Sequence, residues 1–553
     1  MNDYEKLAEL LYSDITTLPE FYEEKYPPRQ LPEGARVTRF APSPTGFLHI
    51  GSLFTTYVDK LTAVGTSGVY YLRIEDTDKK REVEDGVSGI VNGLCAFGLK
   101  PDEGVMGFGT EQGEYGPYHQ SARGDIYQCF AKELIKNGLA YPCFCNEEVL
   151  NEMRDEQETQ NVNKGYYGKW APCRDLSLDE QTAAIQAGKS FVLRLRSTGV
   201  ENRHIIVEDL IKGKIEMPEN IMDIVLLKTD GIPTYHFAHA VDDHLMRTTH
   251  VIRGDEWIAS LPLHIALFKA CGFKVPKYAH VSPLMKEDEG SKRKLSKRKD
   301  PEFAVSYFVE QGYPKESILE YLLTLINSNF EDWRKANPTA AQLDFPFNLK
   351  KMSPSGALFD LVKLTNISKN VVSLMTAEEV FEKSSQWAKE YDEALFELLQ
   401  KNPEYAVNIL RIDRGTEKPR KDIAKWSELK SYIEYFYDKL YAPDFALPEN
   451  ILPTDAAAVL KTYLTVFNIV DDKDVWFTCL KDMCVGLGYT PNVKEFKQNP
   501  EQFKGHVGDI SAVIRIALTS RRNTPDLHSI IQLLGDEKVR QRIDDAINFY
   551  AAQ

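Results

Sequence analysis

Two stretches far apart in the chain combine side chains suited to handling phosphate: Leu48-His49-Ile50-Gly51-Ser52, and the cationic run from Lys292 through Lys294 to Lys297 and Arg298. A histidine and a glycine at the start of a helix present N–H groups and a partial positive charge to an anion. Gly51 also lets a flat ring or a phosphate approach the backbone closely. Lys294 and Lys297, on a loop opened by Gly290, can meet negative charge as it develops on phosphate oxygens. A third stretch, Arg73-Ile74-Glu75-Asp76-Thr77-Asp78, ends an apolar run in a cluster of carboxylates. Each has a bland reading alone: a loop with an incidental histidine, a solvated charge patch, acidic residues capping a helix. What the fold brings together decides.

The elements around them favour assembly. Val37 to Ala41 reads as a strand, Pro42 to Gly46 as a rigid turn, Leu48 to Leu61 as a helix, and Val69 to Ile74 as a buried strand. Strand, helix, strand with a crossover implies parallel pairing, and parallel sheets bind ligands beyond the carboxyl ends of their strands. Glu75 is therefore expected beside the turn from Ser43 to His49. From Gly116 to about Tyr235 the pattern changes to helices with short strands at 190–195, 203–207 and 223–228, as in an insertion between two halves of a sheet domain. Ile232 to His244 and Thr249 to Trp257 resume the alternation. Beyond about residue 300 the period is helical, with apolar faces at Leu429, Tyr432, Ile433, Phe436 and Leu440, and at Ile530, Ile531 and Leu534. Residues 1–34 read as an amphipathic helix (Tyr4, Leu7, Leu10, Leu11) and a Pro-rich lead-in packed on the first domain.

A chain of 553 residues holds several cores. It shows no apolar run long enough for a bilayer and no signal peptide at its start, and eight cysteines are too sparse for a disulfide scaffold. The expectation is a cytoplasmic protein with no membrane partner. Net charge is −15, which argues against polyanion partners, but the cations between Met285 and Asp300 leave one such site open.

Leu48-His49-Ile50-Gly51-Ser52 resembles the His-Ile-Gly-His signature of class I aminoacyl-tRNA synthetases, with Ser52 in place of the last histidine. Lys294-Leu295-Ser296-Lys297-Arg298 resembles their Lys-Met-Ser-Lys-Ser loop. In this order, flanking Arg73 to Asp78 and Val241-Asp242-Asp243-His244, they make the chain similar to the bacterial glutamyl-tRNA synthetases, from about Arg36 through the C-terminal helices. Only the N-terminal extension is expected outside the likeness. The resemblance implies an α/β fold: a Rossmann-like parallel-sheet catalytic domain (35–115 and 236–290), an inserted α+β acceptor-stem domain (116–235), a signature-loop domain (291–370) and all-α anticodon-binding domains (371–480 and 481–553), after the extension 1–34.

It also implies that ATP and Mg2+ activate L-glutamate, with pyrophosphate released, and that the glutamyl group passes to the terminal adenosine of tRNA(Glu), with tRNA(Gln) left open as a second acceptor. A monomer is expected. By the same resemblance His49, Lys294 and Lys297 are catalytic; Arg39, Ala41, Ser43, Glu75, Tyr235, His239 and Arg253 bind glutamate; and His49, Gly51, Glu256, Met285, Lys294 and Lys297 bind ATP. The charges agree, since glutamate offers one cation and two anions to Glu75, Arg39 and Arg253. His239 stands where some relatives carry a neutral amide.

The nearest rival, a glutaminyl-tRNA synthetase, usually has a Pro-Glu-Pro-Asn-Gly turn and a β-barrel anticodon half. This chain has Pro42-Ser43-Pro44-Thr45-Gly46 and a helical C-terminal half. Some relatives bind zinc through Cys-x-Cys and a later Cys-x-His. Cys143, Cys145 and Cys173 supply three ligands without the histidine, so they read as buried thiols and no metal is expected.

Overall fold

Asn2 caps the first helix, α1 (Asp3–Leu11), by accepting from the Glu5 N–H while Glu5 bonds back to the Asn2 N–H. Leu7 and Ala8 are buried, whereas Tyr4 and Leu10 of the same expected face are exposed. A second helix not foreseen from sequence, α2 (Pro19–Lys25), begins with proline, whose missing N–H costs nothing in a first turn. The structure is a computed structural model and describes residues 2–44, 48–78, 83, 85–107, 109–295 and 299–553. The chain divides into two units, Met1–Phe308 with Leu319–Asp360, and Val309–Ile318 with Leu361–Gln553.

In the first unit β1 (Val37–Phe40) leads through α3 (Ile50–Val64) to β2 (Val69–Leu72), and the strands pair in parallel with Arg39 opposite Tyr71. Leu53, Phe54, Tyr57, Val58 and Leu61 bury one face of α3. The crossover α4 (Gly86–Ala96) brings β3 (Glu103–Gly107) parallel to β2, and β4 (Thr110–Gln112) returns antiparallel. Gly104 in β3 has φ +111°, and a Cβ there would lie 2.1 Å from the Leu72 carbonyl oxygen. Only glycine permits that pairing.

The segment expected as an insertion contains α5 (Gly124–Lys136), β5 (Ala140–Cys143), α6 (Glu147–Thr159), α7 (Leu178–Gln186), β6 (Val192–Leu195), β7 (His204–Asp209), β8 (Gly213–Pro218) and β9 (Val225–Leu227). The three expected strands correspond to β6, β7 and β9. The unforeseen β8 is a solvent-facing partner of β7, with only Ile215 and Met217 partly covered. Strands β5, β6 and β9 form their own sheet, but the β7–β8 hairpin joins the following sheet through Asp209 and Tyr278.

That sheet is built by α8 (Tyr235–Leu245), β10 (His250–Gly254), α9 (Leu261–Ala270) and β11 (Lys277–Val281), with β10 and β11 parallel and Arg253 opposite His280. Thr249 N–H donates to the Val37 carbonyl at 3.0 Å, setting β10 beside β1. The carboxyl ends of β1, β2 and β10 thus share one rim. Beyond it, β12 (Leu284–Asp288) and β13 (Ser291–Lys294) form a hairpin placing Met285 opposite Lys294, and β14 (Ala357–Leu358) adds to β12.

The second unit is helical among its described residues. One apolar core runs from Val372 to Tyr550 and includes Leu429, Ile433, Phe436, Ile530, Ile531 and Leu534. The expected face ending at Leu440 is shorter in the structure: the helix Leu429–Ile433 tightens into a 3-10 turn at Glu434–Phe436 and stops. No described helix is long and apolar enough to cross a membrane.

Candidate active site

The shared strand rim opens onto a cavity of about 560 Å³. Of the residues singled out from the sequence, Arg39, Ala41, Ser43, His49, Gly51, Glu75, Tyr235, Arg253, Glu256 and Lys294 line it. So does Ser52, the departure from the signature. The Glu75 N–H donates to the Pro42 carbonyl at 3.0 Å, which fastens the end of β2 beside the Ser43 turn as its topology requires. Lys297, with Thr45 and Gly46 of the turn, lies outside the described residues. Met285 is half-buried in β12 and His239 fully buried in α8, and neither lines the cavity. A larger depression of about 700 Å³, lined by Ile205, Val207, Tyr278 and Lys350, contains none of the signature residues.

Charge at the Glu75 end of the cavity is arranged by a carboxylate that no motif argument had assigned a role. Asp243 lies 3.2 Å from Arg39 Nε and 2.7 Å from Arg73 Nη1, and Arg73 Nη2 reaches Glu75 at 3.3 Å. Burial opposes the Asp243 charge, but Arg39, Arg73 and His239 hold its carboxyl well below the usual range. Burial likewise works against the Arg39 guanidinium, and Asp243 outweighs it, raising the pKa. Glu75 differs: burial dominates over Arg73 and Arg39 and pushes its pKa up to about 7. A cation placed beside it would favour its charged form. His239 is spent within this cluster, its Nδ1 2.7 Å from Asp243 Oδ2 and its ring parallel to that of Tyr235. Trp257, which sequence reasoning passed over, packs on Tyr235 with centroids 4.4 Å apart.

On the opposite wall His49 is the cap of α3 and not part of its first turn. Its Nδ1 accepts the Gly51 N–H at 3.2 Å, so in the neutral ring the proton sits on Nε2, making that nitrogen a donor. Lys294 pairs with Glu256 at 3.1 Å, both side chains 54% exposed. Such a pair is worth ~0–1 kcal/mol, so the lysine exchanges partners readily. The flanks of residues 296–298 are tied together by Arg293, which donates to Asp300 at 2.7 Å through two nitrogens and pairs with Asp288. Arg293 is therefore committed to Asp288 and Asp300, and the basic run is not a uniform patch.

Away from the cavity, the sulfur atoms of Cys143, Cys145 and Cys173 gather within 4.8 Å of one another. The Tyr166 hydroxyl lies 3.3 Å from Cys143 Sγ and 3.5 Å from Cys145 Sγ. The metal-free expectation rested on three donors for an ion that takes four. Tyr166, 21 residues beyond Cys145, brings a phenol oxygen as a fourth donor beside the three sulfurs, and four donors are what a tetrahedral zinc takes.

Residues 36–366 match the family described as tRNA synthetases class I (E and Q), catalytic domain, and residues 493–547 match an anticodon binding domain. Fold and cavity are thus those of a class I tRNA synthetase. The glutamate–tRNA ligase of Clostridium perfringens (strain 13 / Type A) is 49% identical over 544 residues, 98% of this chain and 100% of the relative. That of Clostridium beijerinckii is 48% identical over 550 residues, 99% of this chain and 100% of the relative. A crystal structure of a glutamate tRNA ligase from Elizabethkingia meningosepticum, in complex with its amino acid, matches with a TM-score of 0.73 at 26% identity, covering 93% of this chain and 99% of that one. The chain belongs to the glutamate–tRNA ligase family. Coverage of 99% leaves too few residues for the extension 1–34 to lie outside the likeness, which corrects the sequence-based expectation.

Proposed function

We propose that the cavity joins L-glutamate to ATP at the rim of β1, β2 and β10 and passes the glutamyl group to the terminal adenosine of tRNA(Glu). The observation that carries this reading is the placement of Glu75, Arg39 and Arg253 in one cavity with His49 and Lys294. Glu75 takes the ammonium group, and the two arginines take the carboxylates. A glutamine amide would offer a buried guanidinium one neutral oxygen in place of a carboxylate, which weakens the pairing and favours glutamate. The α-carboxylate attacks the α-phosphorus and pyrophosphate leaves; the ribose hydroxyl of the tRNA then attacks the mixed-anhydride carbonyl and AMP leaves.

The first step needs positioned positive charge more than acid or base help. The His49 N–H and Lys294, with Lys297 from the segment outside the described residues, supply it. Magnesium, when bound with the nucleotide, would neutralise phosphate charge; among the described cavity carboxylates Glu75 is engaged with Arg73 and Glu256 with Lys294. The cysteine–tyrosine cluster would hold a structural zinc, steadying β5 against the segment that follows.

Incubation with ATP, labelled glutamate or glutamine, and tRNA tests the reading: glutamyl-tRNA is expected, and charging of glutamine in its place overturns it. Purified tRNA(Gln) as the sole acceptor decides the breadth of acceptor use. Light scattering checks the proposed monomer.

A further inference from the structure

Arg253 is gripped from behind by two histidines. Its Nε lies 3.1 Å from His280 Nε2, and its Nη2 lies 3.1 Å from His264 Nδ1. A guanidinium has donors only, so both ring nitrogens must accept. That requirement fixes the tautomers. With Nε2 accepting, neutral His280 carries its proton on Nδ1, which points at Asp209 Oδ2 2.7 Å away. With Nδ1 accepting, His264 carries its proton on Nε2, 2.9 Å from His236 Nδ1. One proton arrangement therefore satisfies the whole line Asp209, His280, Arg253, His264, His236. His264 and His280 are both fully buried.

What remains is directional. Of the three guanidinium nitrogens of Arg253, Nη1 is the buried one with no hydrogen-bond partner among the described residues, and the Arg253 side chain lines the cavity. The Asp209 carboxylate is itself over-determined. It accepts from the backbone N–H groups of Ile211 at 2.9 Å, Lys212 at 2.8 Å and His280 at 3.1 Å. A rigid turn after β7 thus sets a proton on β11, which aims an arginine on β10.

We propose that His264 and His280 are positioning residues that aim Arg253 Nη1 at a carboxylate of the bound amino acid, with Asp209 setting the tautomer of His280. The proposal rests on Arg253 contacting the amino acid.

Protonating either ring replaces an acceptor by an N–H facing a guanidinium and breaks the grip. The surroundings keep both rings neutral near pH 7. Around His264 stand Arg253, His236, His239 and Tyr235, with the Asp243 charge beyond; burial, then His239, Arg253 and His236, hold it well below the usual histidine range, against Asp243. Around His280 stand Asp209, Arg253, Asp255 and Tyr278. Burial lowers its pKa, Asp209 opposes, Arg253 lowers it further and Asp255 opposes.

The test compares His264→Leu and His280→Leu with His264→Asn and His280→Gln, whose amide oxygens can occupy the acceptor positions. Steady-state KM for glutamate and for ATP, with kcat, is measured for each. The leucine variants are expected to raise glutamate KM on the order of tenfold, since small misplacements of a binding group are costly. Their ATP KM should stay within about twofold, which also reports that the fold persists. The amide variants should recover most of the loss. Asp209→Asn, able to donate to His280 Nδ1 and move the ring proton to Nε2, should resemble His280→Leu.

Should the leucine variants fail to fold, the amide variants carry the test through pH. In the parent, log KM for glutamate rises on the acid side with protons bound by the histidines as well as by Glu75, and each amide substitution should remove one proton from that limb. Unchanged glutamate KM in the leucine variants, equal changes in glutamate and ATP KM, or an acid limb untouched by the amide substitutions overturns the proposal. Arg253→Gln locates the fault: if it too leaves glutamate KM unchanged, the role given to Arg253 falls first, and the histidine proposal with it.

Discussion

Arg39 and Asp243 form an ion pair from which solvent is excluded, the guanidinium Nε 3.2 Å from both carboxylate oxygens and the side chains 4% and 0% exposed. Arg73 shares the same carboxylate at 2.7 Å. Removing one member of a buried pair leaves an uncompensated charge, typically costing about 3–5 kcal/mol. Asp243→Asn keeps the shape and removes the charge. It should lower unfolding stability by that order and raise glutamate KM, since Arg39 loses its anchor, while ATP KM changes little. Denaturant unfolding with steady-state kinetics checks both, and a variant as stable and as tight for glutamate as the parent would remove Asp243 from the argument.

Glu75 gives the site a pH dependence with a definite sign. Its folded pKa of about 7 stands above the ordinary 4.5, so between these values the folded chain binds more protons than the unfolded one. Its contribution to stability therefore falls as pH rises through this window. Binding of an ammonium group needs the ionised form and has the opposite trend. Glutamate KM should be lowest above pH 7 and rise by about tenfold per unit well below it. Glu75→Gln should flatten that limb and weaken glutamate at every pH. A limb near 7 that survives in Glu75→Gln would assign it elsewhere.

The cysteine–tyrosine cluster predicts a metal content. Protein purified without chelator should carry an equivalent of zinc by elemental analysis, and chelation should lower the unfolding temperature. Tyr166→Phe keeps three sulfurs and should lose zinc to a chelator sooner than the parent, while Cys145→Ser should lose it soonest. No zinc together with unfolding indifferent to chelator would return the cluster to buried thiols.

What the sequence disclosed was local or carried by motifs. The apolar run from Val69 to Ile74, the crossover and the carboxylates after it sufficed to place Glu75 beside the Ser43 turn, because parallel strands put their carboxyl ends on one rim. The long-range pairings were out of reach. Asp243 was visible as half of an Asp-Asp pair, yet its partners Arg39 and Arg73 are 204 and 170 residues away. His264 and His280 belong to no motif; His280 gains its meaning from β11 lying beside β10, and His264 from α9 bringing it back to Arg253. Tyr166 belongs to no cysteine motif, and only the fold brings its hydroxyl to the three sulfurs. Strand β8 did alternate, Lys214, Ile215, Glu216, Met217, but so short and polar a run reads as a loop until β7 is beside it. Leu440 followed the helical period and still fell outside the helix, since periodicity reports a face and not where hydrogen bonding stops.

The N-terminal extension yields the last prediction. Arg29 donates to both Glu103 carboxylate oxygens at 2.8 and 3.0 Å and to the Met246 carbonyl at 3.1 Å, and its guanidinium stacks 3.8 Å from the Tyr115 ring centroid. Its side chain is 6% exposed and that of Glu103 20%. Nearby, Tyr26 donates to the Gly116 carbonyl at 2.7 Å, and Glu23 pairs with Arg247 at 2.8 Å. The extension thus joins β3, the turn before α5 and the end of α8, three segments that the chain order separates. Arg29→Ala should destabilise the first unit by about 3 kcal/mol, because Glu103 is left partly buried and unpaired. Arg29→Lys, a point charge without the planar fork, should recover less than half. Tyr26→Phe should cost about 1 kcal/mol. None of these side chains lines the cavity, so glutamate and ATP KM in the folded variants should match the parent. Denaturant unfolding of the three variants checks the order; an Arg29→Ala protein that unfolds at the parent's midpoint would mean that the strap rests on the first unit without holding it together.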